Sequence, residues 1–326
     1  MIGGFWMLLA VKLMALTVVI IGGSLVIIYA ELKVGAHMQN RVGPYYAGVR
    51  WGWAQPLADA VKFLQKEDLV PAAADAKVFK AAPMVSLMGT MAVFVIVPFS
   101  PKLIARDLDL GIFYALAAAS LGTLAMLMAG WSSANKFSLM GGLRAAAQLI
   151  AYELPMVLAV VGVVVQAGAL SMVQIVDAQV ALGLPYVVGG QAVGFFIFVT
   201  ASLAELTRTP FDMPIAESEL VSGYMTEYSG IRFTMFYLAE YAGLFAAAAI
   251  ASTLFLGGYH FPGLDAEIWG PFILLAKVGV LAFLMIWFRW TWPRVREDQL
   301  QSFAWRWLVP LALANIAATA VLKVVL

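Results

Sequence analysis

Cysteine is absent from the 326 residues, histidine occurs only twice, and charged residues make up just 12% of the chain. Without cysteine there is no disulfide, no iron–sulfur ligation and no thiol nucleophile, and thiol usage says nothing about redox compartment. The two histidines, His37 and His260, fall on segments expected on opposite sides of a bilayer. They cannot be the paired axial ligands of a transmembrane haem, nor complete a Ser/His/Asp arrangement. No His/Asp/Glu spacing suggests a metal and no glycine-rich loop suggests a phosphate, so the chain is expected to carry no redox centre of its own. A soluble domain is usually about one quarter charged. Here 63% of residues are hydrophobic, and 20 Lys+Arg against 19 Asp+Glu leave a net charge of +1. That excludes a soluble, disordered or coiled-coil protein, and a cationic nucleic-acid binder with it. What remains is an all-α integral membrane protein.

A hydrocarbon core about 30 Å thick takes about 20 apolar residues per helix. Stretches of that kind lie near 5–29, 82–99, 112–128, 149–169, 186–206, 234–256, 269–288 and 303–325, which predicts eight transmembrane helices. The first is too long for a signal-peptide core and no small-residue cleavage site follows it, so it reads as a retained helix. With no internal repeat, low-complexity tract or soluble insertion, 1–326 reads as a single membrane domain. Its odd-numbered loops, about 30–81, 129–148, 207–233 and 289–302, hold 14 Lys and Arg, against 3 on the opposite side. The positive-inside rule then puts those loops in the cytoplasm and both termini outside.

Two cytoplasmic segments stand out. In 55–66, Pro56 suits a first helical turn. Leu57, Ala60, Val61 and Leu64 share one face there, while Asp59, Lys62 and Lys66 share another. This predicts a short amphipathic helix lying at the membrane surface. Between Glu205 and Glu240 lie six of the 19 acids, namely Glu205, Asp212, Glu217, Glu219, Glu227 and Glu240, with only Arg208 and Arg232 to balance them. Pro210 and Pro214, four apart, argue against regular helix between them. Irregular backbone near membrane depth must be buried in protein or line a wet cavity. Carboxylates crowded there titrate upward and in a coupled way, as a proton relay needs. Glu153, Glu240 and Lys277 fall inside expected spans, where a charge costs about 3 kcal/mol or more.

The residues from Gly52 to Lys62 resemble one signature of a respiratory complex I membrane subunit, known as the H subunit in bacteria and subunit 1 in mitochondria. A longer and more specific signature runs through Arg208-Thr209-Pro210-Phe211-Asp212, Ala216-Glu217-Ser218-Glu219, Thr226-Glu227-Tyr228 and Leu238-Ala239-Glu240-Tyr241. Arg41-Val42-Gly43-Pro44, Gly142-Leu143-Arg144, Tyr152-Glu153 and Asp298-Gln299-Leu300 are also similar to the family pattern, so the likeness covers nearly the whole chain. The resemblance implies a heel subunit of a proton-pumping NADH:quinone oxidoreductase, with quinone as substrate. Its partners would be hydrophilic-arm subunits carrying the terminal iron–sulfur cluster, small membrane subunits and antiporter-like pumping subunits, in contact with membrane lipid and no nucleic acid. Arg41, Asp59, Lys62, Phe63, Arg208 and Asp212 would border a quinone tunnel. Glu217, Glu219 and Glu227 would lead from it to Glu205, Glu153 and Glu240, a carboxylate chain coupling quinone chemistry to proton translocation.

Two positions depart from that pattern. Ile215 stands where the family commonly has Glu, and Tyr45-Tyr46 where Asn often follows the Gly-Pro pair. Three other readings compete. A secondary transporter would need inverted repeats that are not evident. A purely structural anchor leaves the buried acids without a role. An equivalent subunit of an oxidoreductase fed by ferredoxin or another donor shares the architecture, with weaker tunnel motifs.

Overall fold

The computed structural model describes residues 2–325, and every regular element among them is helical. In chain order these are α1 (Ile2–Met38), α2 (Gln55–Gln65), α3 (Ala76–Val93), α4 (Gly111–Ser132), α5 (Lys136–Ala167) and α6 (Met172–Leu182). They continue as α7 (Ala192–Glu205), the one-turn α8 (Glu217–Leu220), α9 (Gly230–Phe255), α10 (Ala266–Thr291), α11 (Glu297–Phe303) and α12 (Val309–Val325). A π-helical turn, Ala304–Leu308, joins the last two into one rod. Among the described residues, seven helices are long and apolar enough to cross a membrane: α1, α3, α4, α5, α9, α10 and the α11–α12 rod.

The stretch expected at 186–206 folds differently. Its helix, α7, has 14 residues, a length of about 21 Å at 1.5 Å per residue. Pro185, Gly189 and Gly190 keep the preceding residues in turns. The two ends of α7 nevertheless sit with different parts of the bundle. At its N-terminal end, Val187 N–H donates to Phe255 O (2.9 Å) and the Gln191 amide donates to Thr319 Oγ1 (2.7 Å). At the other end, Ala204 O accepts from Gln148, twelve residues into α5.

Three expected loops are shorter than the sequence suggests. Helix α1 continues from 29 to Met38, because Glu31 is neutralised within the bundle and does not mark the exit into water. It ends in a Schellman turn, in which Arg41 N–H donates to Ala36 O (2.8 Å) and Asn40 N–H to His37 O (3.1 Å). Asn40 takes the left-handed position at φ 55°, which its short polar side chain tolerates. The connection expected over 129–148 is only 133–135, capped by Asn135, whose side chain accepts from Phe137 N–H at 2.8 Å. Its glycines read as loop signals but serve close helix crossing. A Cβ on Gly130 would lie 2.7 Å from Ser138 O and 2.8 Å from Gly142 Cα. Likewise, much of 289–302 belongs to α10 and α11.

The amphipathic helix forms as expected, and α2 lies against α1 and α9 with Leu57, Val61 and Leu64 facing outward. Apolar packing divides into two clusters. The larger includes Tyr152, Phe198, Phe211, Phe245 and Phe255. The smaller gathers Phe79, Tyr224, Tyr228 and Phe236 around the 206–229 loop, with Phe79 and Tyr228 stacked at 4.1 Å. Lys277 has a structural task. Its ammonium donates to Leu256 O (2.7 Å), Gly258 O (2.8 Å) and His260 O (2.7 Å), satisfying carbonyls at the C-terminal end of α9.

Candidate functional site

The site begins where α7 stops. Arg208 N–H donates to Leu203 O (3.2 Å) and Thr207 N–H to Ala204 O (3.1 Å), a second Schellman turn. Thr207 fills the left-handed position at φ 51°, where glycine is usual. A β-branched residue there costs on the order of 1–2 kcal/mol. That turn sends Arg208 back into the bundle, where it is 2% exposed.

A buried guanidinium persists only if its charge is compensated. Arg208 Nη1 donates to Glu31 Oε2 at 2.6 Å, Nη2 lies 3.0 Å from Glu240 Oε1, and the guanidinium stands over the Tyr241 ring at 4.6 Å. Arg289 from α10 donates to the other oxygen of Glu31. Two cations and two anions from α1, α9, α10 and the loop thus close a neutral network. Glu31, 5% exposed, sits at its centre.

From there the chain turns through Thr209-Pro210, a cis peptide, to Asp212. One Asp212 carboxyl oxygen is buried with no hydrogen-bond partner in the chain. Burial pushes the Asp212 carboxyl up to about 6, helped by Glu240 and Glu217 and opposed by Arg289 and Arg294. Further along, Ala216 and Val221 also take positive φ (24° and 65°), and Gly223 takes φ 54°. At Gly223 the reason is steric, since a Cβ would lie 1.8 Å from Pro214 O. The loop folds back on itself around that glycine.

One face of α5 organises this loop. Arg144, Gln148 and Tyr152 recur every four residues, and therefore lie one above another. Arg144 donates to Glu219 (2.6 Å), Gln148 to Ala204 O and Phe211 O (2.7 Å each), and Tyr152 to Leu300 O (3.0 Å). Glu219 is exposed and also 3.4 Å from Arg294. The hydrogen bond from Arg144 holds its carboxyl below the usual glutamate value.

The residues expected at the site therefore divide into groups. Arg208, Asp212 and Glu240 come together. Glu205 and Glu240 line a common cavity of about 120 Å³, walled mostly by apolar side chains, with Ser202, Thr207, Tyr224 and Thr123 as further polar groups. That is room for several waters. Glu153 lies close enough to Glu205 for their charges to interact. Glu217 and Glu219 face outward in α8, whereas Glu227 accepts from the Asn135 amide at 2.5 Å. On α2, Asp59 pairs with Lys62 at 3.1 Å, and Phe63 packs on Phe233 of α9 with ring centres 5.4 Å apart. Arg41 is exposed and donates to Gln39 (2.9 Å), away from the Arg208 network. The sequence reading did not single out Glu31, Arg289 or Gln148. Ile20, Ser24, Ile27 and Glu31 form one buried face of α1, but in a helix apolar all round that face carries no periodic signal. Among the described residues, no three His, Asp or Glu side chains gather as a metal ion would need.

A family profile described as NADH dehydrogenase matches residues 11–320. The chain belongs to the NADH dehydrogenase family. Among its relatives, the NADH-quinone oxidoreductase H subunit of Dehalococcoides mccartyi (strain CBDB1) is 45% identical over 316 residues, covering 97% of this chain and 87% of that protein. The NADH-quinone oxidoreductase H subunit of Bacillus cereus (strain B4264) is 46% identical over 296 residues, covering 91% of this chain and 88% of that one. Family membership extends over both the Arg208 network and the α2 surface, since the match leaves out only short terminal stretches.

Proposed function

We propose that this chain is the heel subunit of a membrane-bound NADH:quinone oxidoreductase, where it shapes the quinone's path and couples quinone reduction to proton translocation. The relatives' names support the complex and its substrate. The observation that carries the coupling role is the buried Arg208–Glu31–Arg289–Glu240 network, set beside an acid with an unpartnered oxygen. A stable anchor has no need of four charges there, because well-packed apolar groups serve stability as well or better.

The quinone tail enters from the membrane along α2 and passes between α1 and α9. Arg41, Asp59, Lys62 and Phe63 stand at the mouth, and Arg208 and Asp212 at the inner end. Support comes from α2 lying against both helices and from Phe63 packing on Phe233. Partner subunits of the hydrophilic arm bring the electrons by way of the terminal iron–sulfur cluster. Reduction of the quinone by two electrons creates two oxyanions that take up two protons. Negative charge arriving near Arg208 and Asp212 competes for the guanidinium that Glu31 and Glu240 share. Glu240 then gains a proton as Arg208 shifts, which makes the network a two-arrangement element of the kind a coupling device needs. The relay runs from Glu240 to Glu205 by way of waters in the cavity they share and on to Glu153, with Glu217, Glu219 and Glu227 linking it to the loop surface. Neighbouring small membrane subunits and antiporter-like subunits receive the change.

The chain forms one membrane domain over 1–326 in a bacterial inner membrane, with eight crossings, the odd loops cytoplasmic and both termini outside. The fifth crossing is α7, extended by its non-helical flanks. Its ends are hydrogen-bonded to different parts of the bundle, which supports the count. The test uses the assembled complex purified through a tag on this chain. Glu205→Gln is expected to lower inhibitor-sensitive quinone reduction and proton translocation together, by about a hundredfold, as loss of a proton-transfer group does. Quinone reduction with full pumping in that variant would sink the relay.

A further inference from the structure

We infer that Gln148 is the positioning residue that holds Arg208 in its seat, an inference resting on the reading of the Arg208 network as the coupling element. The Gln148 side chain is 1% exposed and its single amide nitrogen uses both hydrogens on the two flanks of one turn. One goes to Ala204 O at the end of α7 and the other to Phe211 O just past the cis peptide, each at 2.7 Å. Between those carbonyls run Thr207, in its left-handed conformation, and Arg208. Ala204 O already accepts from Thr207 N–H in the Schellman turn, so the amide doubles that bond and ties it to the far side of the bend.

Chemistry limits what else can do this. Two buried carbonyls 7 residues apart need a neutral group with two hydrogens to donate, and a side-chain amide supplies both. The amide oxygen is buried and finds no donor in the chain, so it is the two N–H groups that fix the side chain. Gln148 also lies between Arg144, which holds the loop's outer part, and Tyr152, whose ring packs on Phe211 at 5.3 Å. Of the three it alone bonds the backbone on both sides of Arg208, since Arg144 reaches Glu219 and Tyr152 bonds Leu300 O outside the loop. Without it Phe211 O loses its donor, the turn relaxes from its strained Thr207, and Arg208 leaves the distance at which it bridges Glu31 and Glu240.

Two measurements test this. The chain lacks cysteine, so Met213→Cys places one buried thiol on the loop. Adding Gln148→Met, similar in size but without donors, is expected to raise that thiol's labelling rate in the assembled complex by about tenfold, the effect of losing a buried hydrogen bond of roughly 1.4 kcal/mol. Equal rates would overturn the clamp whatever the complex does with quinone. The second measurement is the pH profile of quinone reduction in Gln148→Glu. A protonated carboxyl donates one hydrogen and a carboxylate none. Activity is therefore expected to be highest at the acid end and to fall with rising pH along a limb the unaltered complex lacks. Electron transfer to a water-soluble acceptor should stay unchanged. A profile parallel to that of the unaltered complex would show that Gln148 only fills space, and it decides the matter even if Gln148→Met fails to assemble. An altered labelling rate with an unaltered quinone profile would keep the clamp and refute its link to coupling.

Discussion

Glu31 binds two arginines with its two oxygens, so its charge is what allows Arg208 to be buried and Arg289 to be drawn in from the surface. Glu31→Gln removes the anion but leaves the cations, and breaking a buried pair in this way costs roughly 3–5 kcal/mol. A marked fall in the midpoint of thermal inactivation of the purified complex is expected; an unchanged midpoint would mean the network is hydrated and cheap to disrupt. Asp212 behaves in the opposite sense to the salt-bridged acids. Burial raises its carboxyl to about 6, so the folded loop holds the proton more tightly than the unfolded one. Its contribution is greatest below the ordinary aspartate value and is lost as pH rises through about 6. Glu219, held low by Arg144, contributes above the ordinary glutamate value and loses that contribution as pH falls. Protease resistance of the 206–229 loop should therefore decline between about pH 4 and 6 in a way that Asp212→Asn abolishes. Persistence of the decline in that variant would assign it to another group.

At the scale of elements, the 206–229 loop is determined by its turns more than by its helices. Thr207, Ala216, Val221 and Gly223 all take positive φ, and only the last is glycine. The sequence signalled irregularity there through Pro210 and Pro214, but it could not indicate how the loop closes. Closure depends on Gly223 meeting Pro214 O, and on the α5 face of Arg144, Gln148 and Tyr152. Gly223→Ala forces a side chain into that contact at φ 54°. A cost of roughly 2–4 kcal/mol is expected from backbone strain and overpacking together. Faster proteolysis within 206–229, with the spans still folded, would show it. Native-like resistance would mean the loop closes in another way.

For the whole molecule, the parity of crossings is the property at stake. Among the described residues seven helices suffice by length and composition, and the proposed even count, which returns the chain to the same side, needs α7 included. Because the chain has no cysteine, single cysteines at Tyr46, Val188 and Gly263 can be labelled with a membrane-impermeant reagent in sealed, oriented vesicles. Eight crossings require Val188 and Gly263 to react from one side and Tyr46 from the other. Gly263 reacting together with Tyr46, opposite Val188, would remove α7 from the count.

Composition and pattern were enough to establish a membrane-spanning helical chain, the surface helix at 55–66 and the acid-rich segment between Glu205 and Glu240. The reason is that bilayer thickness, helical periodicity and proline sterics act locally and leave their mark in neighbouring residues. The partners of Arg208 were not legible, because Glu31 lies 177 positions away and Arg289 contacts Glu31 across 258. Apolar helices give no phase, so nothing in α1 distinguished a buried Glu31 from the first residue of a loop. Reading charge as the end of a span is right for a residue meeting water and wrong for one meeting its counter-ion. Only tertiary packing decides which of the two a charge meets, and with that it decided where the helices end, how α7 is tied in, and which acids share one site.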